Sequence, residues 1–470
     1  MTAAEADLIV VGAGAKAAAI AAKVHVLNSL ELGPRGRPIR LTIVEASEPA
    51  ASWSGRHGMT SGEEPLAITP IKDVGFPYRS RELFAQTGEA IDRAIGTFSW
   101  QQYLIAERDY ARWVNAGSPA VEHREYGQYL TWVLSRATAG ITHVSGRVTR
   151  ISLQERAGRW VLDVSEPRAA RRYGCGALVL TGPGVHRALS HDPEVASRVF
   201  HCDSRRSELA RIPADRATEI AIVGGGESAL SCVAFLRAFR PAARLTVYTP
   251  TLPLSRGESF LENRVFSNPD EVAWSSLDLQ TRRDFVKHCD RGVFDPESLA
   301  SFAGDEQCRF VTGRVVHVAA TGDGAGICVD YTSPEGLSGE RFDHLVNCTG
   351  FDLLEQLRGL FPPAVRGEIE RRAGAVWERS SAPEAELAIG RSLELRGMRP
   401  RLHIPGLAAL SQGPGFANLG CLGLLADRVL QPLVLDGGDD GASRPAHGRA
   451  SSSWAASASS AASSAGRPTS

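Results

Sequence analysis

The chain has 470 residues, 43% of them hydrophobic, with 52 Lys and Arg against 53 Asp and Glu for a formal charge of -1. A single core rarely grows past about 250 to 300 residues, so two or three domains are expected, and the charge balance gives no electrostatic case for nucleic acid or acidic membranes. No apolar run approaches the roughly 20 residues of a membrane span and no signal-peptide pattern opens the chain, so a soluble cytoplasmic protein is expected.

Residues 7–22, DLIVVGAGAKAAAIAA, form a short β-branched run, a glycine turn and an alanine-rich helix. The apolar run reads as a parallel strand buried on both faces. Gly12 permits the turn, Gly14 lets the backbone approach a pyrophosphate, and Ala17 holds the third small position where helix meets strand. The second strand, RLTIV, ends at Glu45, placed for ribose hydroxyls; it lies about thirty residues past the glycines against roughly twenty in the usual pattern, which implies a longer connection. The loop ASWSGRHGMTSG follows over the cofactor, with Trp53 and His57 as candidate contacts. His57, like His186 and His201, is read as a loop or structural histidine rather than a catalytic one.

FSWQQYLIAERDYARWV and HREYGQYLTWVL carry apolar residues at helical spacing, Trp100, Tyr103 and Leu104, then Tyr126, Tyr129, Leu130 and Val133, and read as core stripes. Lys72-Asp73 stands inside an apolar stretch and must be solvated, paired or functional. Residues 143–180 alternate as a β-meander ending in Thr181-Gly182-Pro183-Gly184, a turn at a strand's carboxyl end. Residues 219–236, EIAIVGGGESALSCVAFL, repeat strand, turn and helix, with Gly224, Gly226, Glu227 and Ser228 at the phosphate-facing turn and Ala229 at the third small position. The strand that follows does not end in an acid, and Arg244 and Arg256 lie nearby, which favours NADPH through its 2′-phosphate. Residues 270–307 read as helices interrupting this second unit, and RGEIERRAGAVWERS as a solvated helical segment.

Two nucleotide sites imply electron traffic: FAD at the first, NADPH at the second. A disulfide reductase would need a dithiol, but the eight cysteines are scattered, with no C-x-x-C pair and no zinc spacing, so buried free thiols and no metal are expected. A monooxygenase remains open, as does a flavoprotein that binds nucleotides without turnover.

The runs WSGRHGM, PIKDVGFPYRS, FSWQQYL, HREYGQYLTW, IVGGGESA, FLENRVFSNP, DRGVFD, NCTGF and QGPGFANLGCLGLLADRVL together resemble the flavin-dependent amino acid N-hydroxylases of siderophore biosynthesis. Within them the chain is most similar to the mycobactin and nocobactin type of lysine N6-monooxygenase. The resemblance implies that Lys72 contacts the substrate carboxylate and that Asn263 holds the amino acid and the nicotinamide side. Asp290, with Arg291 beside it, stands where the family has a second substrate asparagine. In VNCTGF, Cys348 and Phe351 depart from the family's alanine and tyrosine, while Gly350 is kept. The segment from Gly413 through Asn418 and Leu419, opening the last helix, matches backbone that faces the flavin pyrimidine.

The implied chemistry is reduction of FAD by NADPH, addition of O2 at flavin C4a, and attack of the neutral ε-amine of L-lysine on the distal peroxide oxygen, giving N6-hydroxylysine and water. No side chain need act as nucleophile. An ornithine N5-hydroxylase or another NADPH-dependent flavin monooxygenase is the alternative. The expected fold is α/β: two Rossmann-like dinucleotide-binding domains with a smaller, mostly helical substrate-binding region. Residues 1–212 and 346–435 would form the FAD domain and 213–345 the NADPH domain, with capping helices at about 256–307. Residues 436–470, an Ala/Ser/Gly tail, are expected to be disordered. A homo-oligomer is expected.

Overall fold

The computed structural model describes residues 4–57, 59–107, 109–204, 208–214, 217–302, 304–374 and 382–435. The tail from residue 436 lies outside the described residues, as does the end of RGEIERRAGAVWERS.

Strand β1 (Ala4–Val11) buries Leu8, Ile9 and Val10 completely, which fits its unbroken apolar run. It pairs in parallel with β2 (Leu41–Glu45), and β2 pairs in parallel with β3 (Ile141–Ser145). From there β4 (Arg147–Gln154), β5 (Arg159–Ser165) and β6 (Ala170–Leu180) form the predicted antiparallel meander, and β6 returns to lie parallel to β1. The order is β3-β2-β1-β6-β5-β4, with Arg401–His403 also parallel to β6. The carboxyl ends of β1 and β6 therefore stand side by side, which is where an open α/β sheet leaves a ligand crevice.

The opening helix, Ala15–Ser29, is buried nearly all round because its alanines add little bulk between the sheet and the helices His123–Arg136 and Leu422–Leu435. Lys23 is the charged exception. Its Nζ lies 2.7 Å from Asp427 Oδ1 and donates to Ser80 Oγ at 2.7 Å, and both ionic side chains are essentially unexposed. The aromatic stripes are core, as their spacing predicts: Trp100, Tyr126 and Tyr129 are among the largest fully buried side chains.

The chain passes to the second unit through β7 (Val185–His186) and continues into β8 (Val199–His201), β9 (Glu219–Val223), β10 (Arg244–Thr249) and β11 (Cys308–Thr312). β12 (Arg314–Ala320), β13 (Ile327–Ser333) and β14 (Gly336–Phe342) make a separate antiparallel sheet, β15 (His344–Asn347) completes the second parallel sheet, and β16 (Phe351–Asp352) pairs with β7 on the way back. The parallel order is β11-β10-β9-β15-β8. Because β8 pairs with β15, the second unit already takes up chain before residue 213, the expected boundary. The antiparallel layer had no counterpart in the sequence reading. It covers one face of the parallel sheet through Val315, Val318, Ile327 and Val329 against Val223 and Tyr248.

Between β10 and β11 the predicted insertion is four helices, Phe260–Ser267, Glu271–Ser276, Leu279–Cys289 and Pro296–Phe302. All eight cysteines are free, and all but Cys328 are buried. Among the described residues, no helix is long and apolar enough to cross a membrane.

Candidate active site

At the first glycine turn Gly12 has φ +99°, and a Cβ there would lie 2.4 Å from Thr181 Oγ1, so glycine is required on both counts. Thr181 in turn donates to the Val11 carbonyl at 2.8 Å, tying β6 to β1 at the crevice. Gly14 caps the opening helix, with open space where its Cβ would stand, and Ala17 is fully buried. Glu45 uses its carboxylate on the turn itself, accepting from Ala13 N–H at 2.8 Å and Ser47 N–H at 2.9 Å.

A cavity of about 460 Å³ opens from this turn. Gly14, Trp53 and Leu419 line it, as does the Thr181-Gly182-Pro183 turn that the sequence marked as a ligand position. Trp53 is held edge-on by His123 and Tyr126, with ring centroids 5.0 and 5.3 Å away. The volume, the helix N-terminus and the glycine opening fit an anionic dinucleotide. His57 lies off this cavity on an exposed loop, its Nε2 3.0 Å from Glu48 Oε1.

The last helix is corrected. It begins at Leu422 rather than at Gly413, and Pro414–Phe416 is a short 3-10 turn. Gly413, at φ +121°, has Pro269 3.1 Å from where its Cβ would be, so it serves a close packing contact. Asn418 lines the cavity and donates from Nδ2 to Asp290 Oδ1 at 2.8 Å.

Lys72 and Asn263, 191 residues apart, meet directly. Lys72 Nζ donates to Asn263 Oδ1 and, at 2.7 Å, to Ser267 Oγ. Each partner has a local cause. A capping box between Ser259 and Glu262 starts the helix Phe260–Ser267, which puts Asn263 and Ser267 one turn apart on one face. Asp73 pins the loop of Lys72 by accepting from Tyr78 OH (2.9 Å), Gly75 N–H (3.0 Å) and Trp100 N–H (3.1 Å). The charged pair of the sequence thus splits into a functional candidate and a structural anchor. Burial is the largest influence on both, pushing Lys72 down to about 8, with Arg256 reinforcing the shift, and Asp73 up to about 6.

Asp290 is not hydrogen-bonded to this pair; it caps the helix Leu279–Cys289 on the wall of the large cavity. Burial raises its pKa, opposed by Arg291 and the Asn418 hydrogen bond. Arg291 in turn pairs with Glu386 at 2.8 Å.

At the second turn, a Cβ on Gly224 would lie 2.4 Å from the Cys348 carbonyl oxygen, and Gly226 caps the helix Glu227–Phe239, with Ser228 in its first turn. Gly292 packs close over Gly225 and Gly226. Glu227 faces a smaller cavity of about 310 Å³ together with Glu64, Ser231 and Asp295. Its pKa is pushed up to about 7, chiefly by burial.

Arg256 and Arg244, the arginines expected to favour NADPH, both already have carboxylate partners. The Arg256 guanidinium is shared among Glu258, Asp295 at 3.5 Å, Glu227 at 3.4 Å and the Ala67 carbonyl at 2.7 Å, so an incoming phosphate would meet three carboxylates. Arg244 begins β10 and pairs with Glu219 at 3.3 Å, at the sheet end opposite the glycine turn.

Sequence reasoning missed Ser267 and Lys16. Ser267 follows Asn263 at a helical i+4 spacing, which was a usable signal, and Lys16 is the only charge in AKAAAIAA.

Two Rossmann-like units, with an insertion from the second reaching the cavity of the first, define a two-dinucleotide flavin monooxygenase fold. The chain belongs to the L-lysine 6-monooxygenase/L-ornithine 5-monooxygenase family, whose model matches residues 95–353. It is 36% identical over 435 residues to the L-lysine N6-monooxygenase MbtG of Mycobacterium sp. (strain MCS), covering 90% of this chain and 94% of that protein. Among solved structures it is similar to the lysine monooxygenase NbtG from Nocardia farcinica (TM-score 0.75, 32% identity, 90% of this chain and 98% of that one). The ornithine N-hydroxylase KtzI of Kutzneria sp. 744 shares the fold at TM-score 0.71 and 18% identity, covering 91% and 99%.

Proposed function

We propose that the chain hydroxylates the side-chain amine of L-lysine at N6, using NADPH and O2, to supply hydroxamate siderophore synthesis. The observation that carries the reading is the junction of Lys72 with Asn263 and Ser267 across the two units. The Lys72 ammonium offers a counter-charge to an α-carboxylate, and the Asn263 amide gives the substrate a fixed hydrogen-bonding partner. Gly12, Gly14, Ala17, Glu45, Trp53, Asn418 and Leu419 would hold FAD, and Gly224, Gly226, Ser228 and the backbone N–H of Glu227 the phosphates of NADPH. Bound FAD would supply the electron transfer and oxygen chemistry that no side chain provides. An ε-amine with an ordinary pKa of about 10.4 must lose its proton first, and desolvation in an enclosed site favours that.

The FAD domain is assigned to residues 1–212 and 346–435, allowing for the early β8, and the NADPH domain to 213–345. The protein is proposed to work as a homo-oligomer in the cytoplasm, which light scattering and cell fractionation test. The function is tested by NADPH oxidation and hydroxylamine formation with lysine and ornithine side by side. Hydroxylamine from lysine supports it; hydroxylamine from ornithine alone replaces the substrate, and none from either removes the activity.

A further inference from the structure

Lys16 stands two residues past Gly14 on the first turn of the opening helix and lines the same cavity of about 460 Å³. Its Nζ donates to the Ala417 carbonyl at 2.7 Å, immediately before Asn418 and Leu419, which share that wall. The opposing charge that acts on it most is Asp290, whose carboxylate is already engaged by Asn418 and lies beside Arg291.

A half-buried ammonium on a cavity wall gives up part of its hydration, and one carbonyl plus a shared carboxylate replace it only in part. The balance is visible in its pKa, pushed down to about 8 because burial outweighs the attraction of Asp290. A cation left short of negative charge on a cavity wall stabilises negative charge that arrives later. A flavin acquires such charge on reduction, when its N1–C2=O end becomes anionic. A purely structural strut to Ala417 would not require an ionised side chain at this cost.

We propose that Lys16 is the fixed cation that stabilises negative charge on the reduced flavin, and that Asp290, reaching in from the inserted helices, tunes its strength. The inference rests on the FAD reading above and adds to it a residue from this chain. It also gives Asp290 a role other than substrate contact: a negative group from the second unit damps the cation that serves the cofactor of the first.

The test uses the full-length protein with FAD and needs no turnover. FAD content, the sulfite dissociation constant and the two-electron reduction potential are measured for the unaltered protein, Lys16→Met, Lys16→Arg and Asp290→Asn. Sulfite donates its lone pair to form an S–N bond at flavin N5, and the displaced electron pair settles at the N1–C2=O end, so its affinity reads the nearby cation. Lys16→Met should bind sulfite at least tenfold more weakly, with the potential lowered by the matching tenfold, about 30 mV for a two-electron couple. Lys16→Arg should retain most of the unaltered affinity, and Asp290→Asn should shift both readouts the opposite way. A flavin-loaded Lys16→Met with unchanged sulfite affinity and potential would overturn the proposal. If that variant holds no FAD, Asp290→Asn decides, and an unchanged potential there overturns it. An unaltered protein that holds no FAD defeats the cofactor reading instead.

Discussion

Replacing Lys72 by alanine removes the ammonium that joins the Asp73-anchored loop to the helix Phe260–Ser267. A lysine ammonium has three donors, and two are committed to Asn263 and Ser267, which leaves one for a substrate carboxylate. A charged hydrogen bond contributes about 1.5–3 kcal/mol, which at about 1.4 kcal/mol per tenfold becomes roughly 10- to 100-fold in amino acid affinity. The second turn, where NADPH is proposed to bind, does not involve Lys72. Steady-state NADPH oxidation at varied lysine and varied NADPH, with equal FAD content checked by absorbance, should therefore give a raised KM for lysine and an NADPH KM within about twofold of the unaltered protein's. Equal increases in both would remove this role from Lys72, since they would mean that the two units had shifted relative to each other. The lowered pKa adds a pH signature. Above about 8 the folded protein loses the Lys72 proton, so the KM for lysine should climb between pH 7 and 9 in excess of the substrate's own titration. Lys72→Arg should abolish that excess.

Further substitutions separate cofactor, stability and coenzyme effects. Gly12→Ala places a methyl 2.4 Å from Thr181 Oγ1 at a positive φ, and the purified variant should carry little FAD; full flavin content would contradict the turn assignment. Asp427→Ala strands the Lys23 ammonium in the core and should cost about 3–5 kcal/mol in denaturant unfolding. The double replacement Lys23→Met with Asp427→Leu should recover most of that loss, and an unchanged single variant would mean the pair is not buried in solution. Because Arg256 is committed to carboxylates, Arg256→Ala should alter the KM for NADPH and NADH by the same factor, whereas a selective loss with NADPH would restore it as a 2′-phosphate ligand.

The parts of this molecule that were legible in sequence are those encoded locally. Residues 8–14 carry their strand and turn in seven consecutive positions, and the stripes through Trp100 and Tyr126 follow helical spacing, so both survive into the structure unchanged. The second glycine turn was legible for the same reason. Contacts over long separations were not. Composition and spacing left Lys72 undecided, and only the family resemblance paired it with Asn263, because a 191-residue separation has no periodic signature. The strands at residues 314–342 were missed because only one face is buried, through Val315, Val318, Ile327 and Val329, while the other carries Arg314 and Arg341, so no continuous apolar run marks them. The partners of Arg256 were not legible, because arginine near a turn looks the same in sequence whether its charge is free or shared by Glu227, Glu258 and Asp295.

The activity proposed for this site is hydroxylation of the terminal nitrogen of lysine. Mass spectrometry of the products formed by the FAD-loaded protein with NADPH in air, from lysine and ornithine in parallel, tests it most directly. The expected result is a lysine product heavier by one oxygen located on N6, with ornithine converted far more slowly. Ornithine as the faster substrate, or NADPH oxidation without any oxygenated amine, would contradict it.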